Sequence, residues 1–319
     1  MAPLAPIAAR ARYIVVAAGL LALLPWVSAA VALLAGIALA LTLGNPFPAA
    51  TRQLAHKLLA WSVIGLGASM NLAVVGRIGL HGLGYTALGI AVALAAGSWL
   101  GRRLGVRRDA SLLITVGTAI CGGSAIAAIA PTIGARDHDT SIALVTVFLL
   151  NAVALLVFPA IGQHLRLSQD AFGLWSALAI HDTSSVIGAA SRYGERALEV
   201  ATAAKLARAL WIVPVTFAIA ARRARAPRVT TVAPRRPWFI AGFLAAAAVV
   251  TFVPGLAPAG HVVTFAAHRL LAVTLFLIGL GLTRPALRTL GIRPLVQAIA
   301  LWILLAGGTL LAITQGWIA

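Results

Sequence analysis

A histidine and a carboxylate stand side by side in the middle of a long apolar segment. His181 and Asp182 interrupt the run 171–190, which is otherwise apolar enough to cross a bilayer. A charge at the bilayer centre costs about 2.5 to 3.5 kcal/mol on insertion scales, so such groups normally face a protein interior or a watery cavity. The pair predicts a polar site inside a membrane protein. Proton relay by the pair and a plain hydrogen-bonded structure are both open, because adjacent helical residues share no face unless the backbone is irregular.

Two cations lie in the next apolar run, 197–220. Lys205 and Arg208 are three residues apart and therefore on one helical face. Cations inside a span require a partner, and Asp182 is the nearest buried carboxylate in the chain. We expect Asp182 to pair with one cation and to leave the other for an anionic substrate. A purely structural ion pair is the alternative.

Adjacent glycines interrupt the run 110–134. Gly122 and Gly123 weaken a helix and permit unusual backbone angles, so we expect a break there. A helix that restarts at Ser124 or Ser185 would point free N–H groups and its positive dipole end into the break, which attracts an anion. The predicted substrate-binding residues are Gly122, Gly123, Ser124, Thr183, Ser184, Ser185, Lys205 and Arg208, and the predicted ion-coupling residues are His181 and Asp182.

Short sequence echoes accompany these breaks. Ala119-Ile120 with Ser124 recurs as Ala179-Ile180 with Ser184, and Ile64-Gly65-Leu66-Gly67 recurs as Ile278-Gly279-Leu280-Gly281. Repeats with glycine-interrupted helices are typical of secondary transporters. Close packing of small residues is the other interpretation, and we favour it for the Ile-Gly-Leu-Gly pair.

The composition is that of a polytopic membrane protein. Apolar residues make up 61% of the chain and charged residues only 10%, with a mean hydropathy of +0.99, which excludes an ordinary soluble domain. The net charge of +18 lies mostly in short loops, where arginine sets orientation, so we expect no nucleic-acid partner. A single cysteine excludes an internal disulfide framework. We expect no cofactor and no metal, and the absence of a phosphate-binding loop argues against ATP as the driver.

Prolines and arginine clusters divide the chain into about eleven membrane-spanning helices. They are placed at 13–26, 27–44, 57–75, 83–101, 110–134, 140–161, 171–190, 197–220, 238–254, 262–282 and 294–316. With a cytoplasmic N-terminus the loops hold basic residues in a ratio of 18 inside to 4 outside, with Arg136 outside and Arg166 inside. We treat 1–319 as one integral membrane domain. It consists of a first helix bundle, 1–221, a basic cytoplasmic linker, 222–237, and C-terminal helices, 238–319.

The chain resembles the YeiH family of bacterial membrane proteins, labelled sulfate exporters. The matching stretches are Ile120 to Ala128, His181 to Val186, Lys205-Leu206-Ala207-Arg208, and Gly291 to Leu295 with Leu301-Trp302. The resemblance implies a multi-pass inner-membrane transporter of the cation/proton antiporter and bile-acid symporter superfamily. Its members pair inverted repeats around broken, crossed helices.

We therefore expect a secondary transporter, not an enzyme, that exports a small anion such as sulfate or a sulfonate by alternating access. Its partners are that anion and the lipid bilayer, and assembly into a homo-oligomer is left open. One alternative is a cation/proton antiporter with Asp182 as the ion ligand. Others are an intramembrane hydrolase using Ser124 or Ser184 with His181 and Asp182, and a membrane scaffold that transports nothing.

Overall fold

The computed structural model describes residues 5–223 and 238–318, and within these ranges the chain is helical and contains no strand. The helices, in chain order, are α1 (Ala5–Leu21), α2 (Ala29–Thr42), α3 (Pro48–Gly67), α4 (Leu72–Arg103), α5 (Arg108–Ala119), α6 (Gly123–Thr132), α7 (Asp137–His164), α8 (Gln169–Ala179), α9 (Thr183–Tyr193), α10 (Glu195–Ala209), α11 (Ile212–Arg223), α12 (Trp238–Phe252), α13 (Ala257–Leu280), α14 (Arg284–Arg288) and α15 (Ile292–Thr314). Most of the predicted linker 222–237 lies outside the described residues.

Five of these helical stretches are long and apolar enough to cross a membrane. They are Gly84–Arg103, Asp137–His164, Glu195–Arg222, Pro258–Leu280 and Ile292–Thr314. Shorter apolar helices lie at Ala11–Leu21, Ala29–Thr42, Gly123–Thr132 and Trp238–Phe252. The membrane class is thus confirmed, whereas the number of eleven spans is not.

The chain forms two compact units. Met1–Val74 and Trp238–Leu287 make the first, and Val75–Pro237 and Arg288–Ala319 make the second. Each unit consists of two separate stretches of sequence, so the boundary between the units does not coincide with the linker predicted at 222–237. The predicted site residues all fall in the second unit.

The first unit is built by α13 packing against α2 and α3, with α12 against α3. Its glycines allow backbones to approach closely. A Cβ on Gly279 would stand 2.5 Å from the carbonyl oxygen of Leu33, and one on Gly65 would stand 2.8 Å from the Cβ of Ala267. The packing interpretation of the Ile-Gly-Leu-Gly pair is therefore confirmed.

The second unit is organised along α7, a helix of 28 residues and therefore about 42 Å long. The segment α5–α6, called here the first hairpin, begins and finishes at the N-terminal end of α7. Arg107, just before α5, forms a 3.1 Å ion pair with Asp139 in the first turn of α7. At the break, a Cβ on Gly117 of α5 would stand 2.9 Å from the side chain of Ile126 in α6, so the two helices fold back on each other.

The segment α8–α9, the second hairpin, begins and finishes at the C-terminal end of α7. The Tyr193 hydroxyl at the end of α9 donates to the carbonyl of Leu167, which precedes α8, at 2.7 Å. The rings of Phe172 and Tyr193 stack with centroids 3.7 Å apart. A straight helix of about 25 residues would separate these ends by about 37 Å.

The two predicted breaks are therefore confirmed, but the prediction that 110–134 and 171–190 cross the membrane as spans is wrong. Each segment reverses at its break and enters the unit from one end only. Re-entrant backbone of this kind is tolerated at membrane depth only where other protein covers it or where it lines a water-filled cavity.

Candidate functional site

The tips of the two hairpins touch. Gly122 at the first tip has φ 63° and ψ −127°, a conformation that favours glycine. A Cβ there would stand 3.0 Å from the Cβ of Asp182 and 3.3 Å from its Cα. The first tip needs glycine both for its turn and for this close approach, and the two breaks form one buried centre.

Asp182 is the N-cap of α9. Its Oδ1 accepts the main-chain N–H of Ser185 at 2.6 Å and the hydroxyl of Ser184 at 2.7 Å, and its Oδ2 accepts the Ser185 hydroxyl at 3.1 Å. A carboxylate at this position satisfies an otherwise open donor and complements the positive end of the helix. Two of the hydroxyls predicted for substrate thus bind this carboxylate instead.

Lys205 joins the C-terminal ends of α5 and α8, the first helices of the two hairpins. Its Nζ donates to the carbonyls of Ile180 at 2.7 Å, Ile120 at 3.2 Å and Ala177 at 3.4 Å. The lysine is 0% exposed. An ammonium has three protons, so these acceptors use its donor capacity fully. The sequence brings it here because Gly173 of α8 lets α10 approach: a Cβ on Gly173 would stand 2.7 Å from the carbonyl of Ala197.

Arg208 extends the same arrangement one turn away from the tips. Its Nε donates to the carbonyl of Ala119 at 2.8 Å, and Nη2 donates to Ala119 at 2.5 Å and to Thr118 at 3.2 Å. Nη1 donates to the carbonyls of Ala177, at 3.2 Å, and Leu178. Both cations therefore cap the last turns of α5 and α8, whose carbonyls have no partner inside their own helix.

The expected ion pair between Asp182 and a cation is not formed. The ion pairs in the described part of the chain are Arg107–Asp139, Arg196–Asp170 and Arg196–Glu199. The reason is that each break creates one helix C-terminus, with partial negative charge, and one helix N-terminus, with partial positive charge. The carboxylate serves an amino end and the cations serve two carboxyl ends.

Asn151 is the functional candidate that the sequence analysis missed. It lies in the middle of α7, is 1% exposed, and its Oδ1 accepts the main-chain N–H groups of His181 at 3.1 Å and Asp182 at 3.4 Å. This contact holds the second tip against α7. An amide side chain in the otherwise apolar run 140–161 was the signal that could have identified it.

His181 is buried, with 1% of its surface exposed, and its ring lies 6.1 Å from that of Trp302 on α15. Within the described ranges neither ring nitrogen has a hydrogen-bond partner. Trp302 donates through Nε1 to the carbonyl of Ala179 at 3.1 Å, and its ring stacks on Phe158. The C-terminal helix thus anchors the second hairpin beside the histidine.

The structure brings most of the predicted site residues together. Gly122, His181, Asp182, Ser184, Ser185, Lys205 and Arg208 are linked by the contacts above, and Gly123 and Thr183 are buried beside them at the starts of α6 and α9. Ser124 differs, because its side chain is exposed on α6. In the described part of the chain no three His, Cys, Asp or Glu side chains converge in a way that would hold a metal ion.

Comparison with known proteins places the chain in a family. The profile described as Conserved hypothetical protein 698 matches residues 9–298. The chain belongs to this family. It is 58% identical to the UPF0324 membrane protein of Bdellovibrio bacteriovorus over 94% of its own length and 93% of that protein. It is 46% identical to the UPF0324 membrane protein of Geobacter sulfurreducens, covering 92% and 94% of the two chains. No solved structure matches the chain.

Proposed function

We propose that this protein is a secondary active transporter that carries a small anion, such as sulfate or a sulfonate, outward by alternating access. The observation that supports this most directly is the meeting of two hairpin tips, Gly122 against Asp182, beside two buried cations. Where two interrupted helices converge at membrane depth, the N–H and C=O groups at the breaks are free of helical hydrogen bonds. These main-chain groups can then bind a substrate.

The charges of the centre favour an anion. Two amino ends and two carboxyl ends of helices meet there, so the dipole charges of about half a unit each largely cancel. Lys205 and Arg208 then outweigh Asp182 by one positive charge. Buried charge is costly unless it is balanced, so this excess favours a negatively charged substrate.

The residues divide between holding the site and contacting the substrate. Lys205 and Arg208 hold the tips and supply charge, because their donors are already bound to carbonyls. The start of α6 offers main-chain N–H groups, since its N-cap, Gly122, has no side chain to cap it. The hydroxyls of Ser184 and Ser185 belong with the holding groups because they donate to Asp182, and Thr183 at the start of α9 is assigned to the substrate.

Proton coupling would act through Asp182. A proton on this carboxylate would weaken its bonds to Ser184 and Ser185 and raise the positive charge of the centre. His181 is its neighbour in the chain and has both ring nitrogens unpaired in the described part of the chain, so we assign to it the passing of that proton.

We further propose that the protein is a multi-pass inner-membrane protein with a cytoplasmic N-terminus, related through the YeiH family to the inverted-repeat antiporters and symporters. The hairpins change the loop assignment: Arg136 moves to the side of Arg107, and Arg166 moves to the other side. Because one basic residue moves each way, the distribution remains 18 to 4.

The competing functions have weaker support. A cation bound by Asp182 would have to displace three donors from its oxygens. The serine hydrolase alternative would need its serine hydrogen-bonded to His181, whereas Ser184 donates to Asp182. Asp182→Asn separates the two transport hypotheses, since loss of pH coupling with retained anion binding supports ours, and loss of all cation binding supports antiport.

The direct test is the flux of radiolabelled sulfate in proteoliposomes, with and without a pH gradient. We expect gradient-dependent flux in the wild type and its loss in Lys205→Gln. The matched control is Lys57→Gln, at the other lysine of the chain, which is exposed and lies in the first unit. Failure of the wild type to move sulfate or any sulfonate would contradict the proposal.

A further inference from the structure

The orientation of the Asn151 amide is fixed by its neighbours. One atom of this side chain faces the main-chain N–H groups of His181 and Asp182. A main-chain N–H can only donate, so the atom that faces both must be the oxygen. The assignment of oxygen and nitrogen, which is otherwise ambiguous for an asparagine, is therefore determined.

The other end of the amide is a buried donor. Asn151 Nδ2 has no hydrogen-bond partner in the described part of the chain, and the residue is 1% exposed. Leaving a buried polar group unsatisfied costs about 1 to 3 kcal/mol, so native proteins rarely keep one without a use. The two ring nitrogens of His181, whose main chain Asn151 holds, are buried and unpaired as well.

From this we infer that Asn151 Nδ2 donates a hydrogen bond directly to an oxygen of the transported oxyanion. The inference rests on the proposed function and adds a binding residue to it. An NH₂ group can only donate, so it recognises an acceptor such as a sulfate or sulfonate oxygen and cannot coordinate a cation.

The hydrogen bonds of Lys205 support this role for Asn151. The lysine has three carbonyl acceptors and no free proton, so it attracts the anion by charge without a direct contact. Asn151 offers the complementary property, a neutral donor whose position is fixed by the tip that it supports. A neutral donor also binds weakly enough to allow release, which transport requires.

Substitution by aspartate removes the donor while it keeps the oxygen that holds the second tip, and the charge that it adds is distinguished by comparing two anions of different charge. Asn151→Asp keeps an oxygen for the N–H groups of His181 and Asp182 and replaces the NH₂ donor by a second acceptor with negative charge. Asn151→Ala removes both contacts. Thr146→Val is the matched control, because Thr146 is also buried on α7 and, among the described residues, its hydroxyl bonds only the carbonyl of Ile142 in the same helix.

The experiment measures sulfate and methanesulfonate binding to the purified full-length protein by calorimetry, with size-exclusion profiles to verify folding. We expect Asn151→Asp to weaken sulfate binding by about 10- to 100-fold, the value of a hydrogen bond to a charged group, and Thr146→Val to change it less than about twofold. A loss of similar size for sulfate and methanesulfonate in Asn151→Asp, with a normal profile, supports the inference even if Asn151→Ala does not fold. Repulsion by the new charge alone would instead cost divalent sulfate about twice the free energy that it costs monovalent methanesulfonate, and that pattern would count against the inference.

The contrary outcomes are distinguishable. Wild-type-like binding by Asn151→Asp would show that Asn151 only positions the second tip, and would overturn this inference while leaving the proposed function intact. Absence of binding of either anion by the wild type would overturn both.

Discussion

The reversal of both interrupted helices predicts which loops share a side of the membrane. Arg108 and Arg136 flank the first hairpin, and Arg166 and Arg192 flank the second, and all four are exposed. If the two segments were straight helices, their ends would lie about 37 Å apart, more than the hydrocarbon thickness of about 30 Å. The observed contacts across the hairpin ends are 3.1 Å for Arg107–Asp139 and 2.7 Å for Tyr193–Leu167.

The assay is labelling of single cysteines in intact and permeabilised cells with a membrane-impermeant maleimide. The background is Cys121→Ala, which removes the single native thiol, itself buried at the first tip. We expect cysteines at 108 and 136 to react from one side, and cysteines at 166 and 192 to react from the other. Straight spans would instead pair 108 with 166 and 136 with 192, and that pattern would refute the hairpin topology.

Three further predictions concern the tips. Lys205→Met leaves the buried carbonyls of Ile120 and Ile180 without a donor, since Arg208 still donates to Ala177, and at about 1 to 3 kcal/mol for each it should lower the thermal midpoint by about 5 to 20 °C. Lys57→Met should not move the midpoint, and an unchanged midpoint in Lys205→Met would contradict the capping role. Gly122→Ala should cost about 1 to 3 kcal/mol in backbone strain and push the tips apart, so it should abolish flux, while Gly308→Ala, where a Cβ meets open space, should retain it. Trp302→Phe keeps an aromatic ring but loses part of the indole and its hydrogen bond to Ala179. It should destabilise the protein by about 1 kcal/mol in denaturant titration, and a larger loss would show that packing dominates.

The sequence predicted which residues lie at the centre better than it predicted the hydrogen-bond partner of each residue. Buried ionisable groups and adjacent glycines are visible without a structure, because each is costly in an apolar helix unless it has a use. The pairing of Asp182 with Lys205 or Arg208 was wrong because opposite charges are only one way to satisfy a buried ion. Main-chain carbonyls and N–H groups at broken helix ends carry partial charge too. Because almost every residue has these groups, the sequence does not show which of them will pair with a buried ion.

Hydropathy cannot distinguish a hairpin from a span. The run 110–134 has the length and apolarity of a crossing helix, and the break at Gly122 is compatible with either a kink or a reversal. What decides between them is contact that hydropathy does not report: Asp139 must meet Arg107, and Gly117 must face Ile126 across the break. A reversal at mid-depth is stable only if the carbonyls it exposes find donors, and Lys205, about 85 residues further along the chain than Ile120, supplies one to both tips. The same lysine that makes the centre positive therefore makes the two reversals physically tolerable, which links the unusual topology to the proposed preference for an anion.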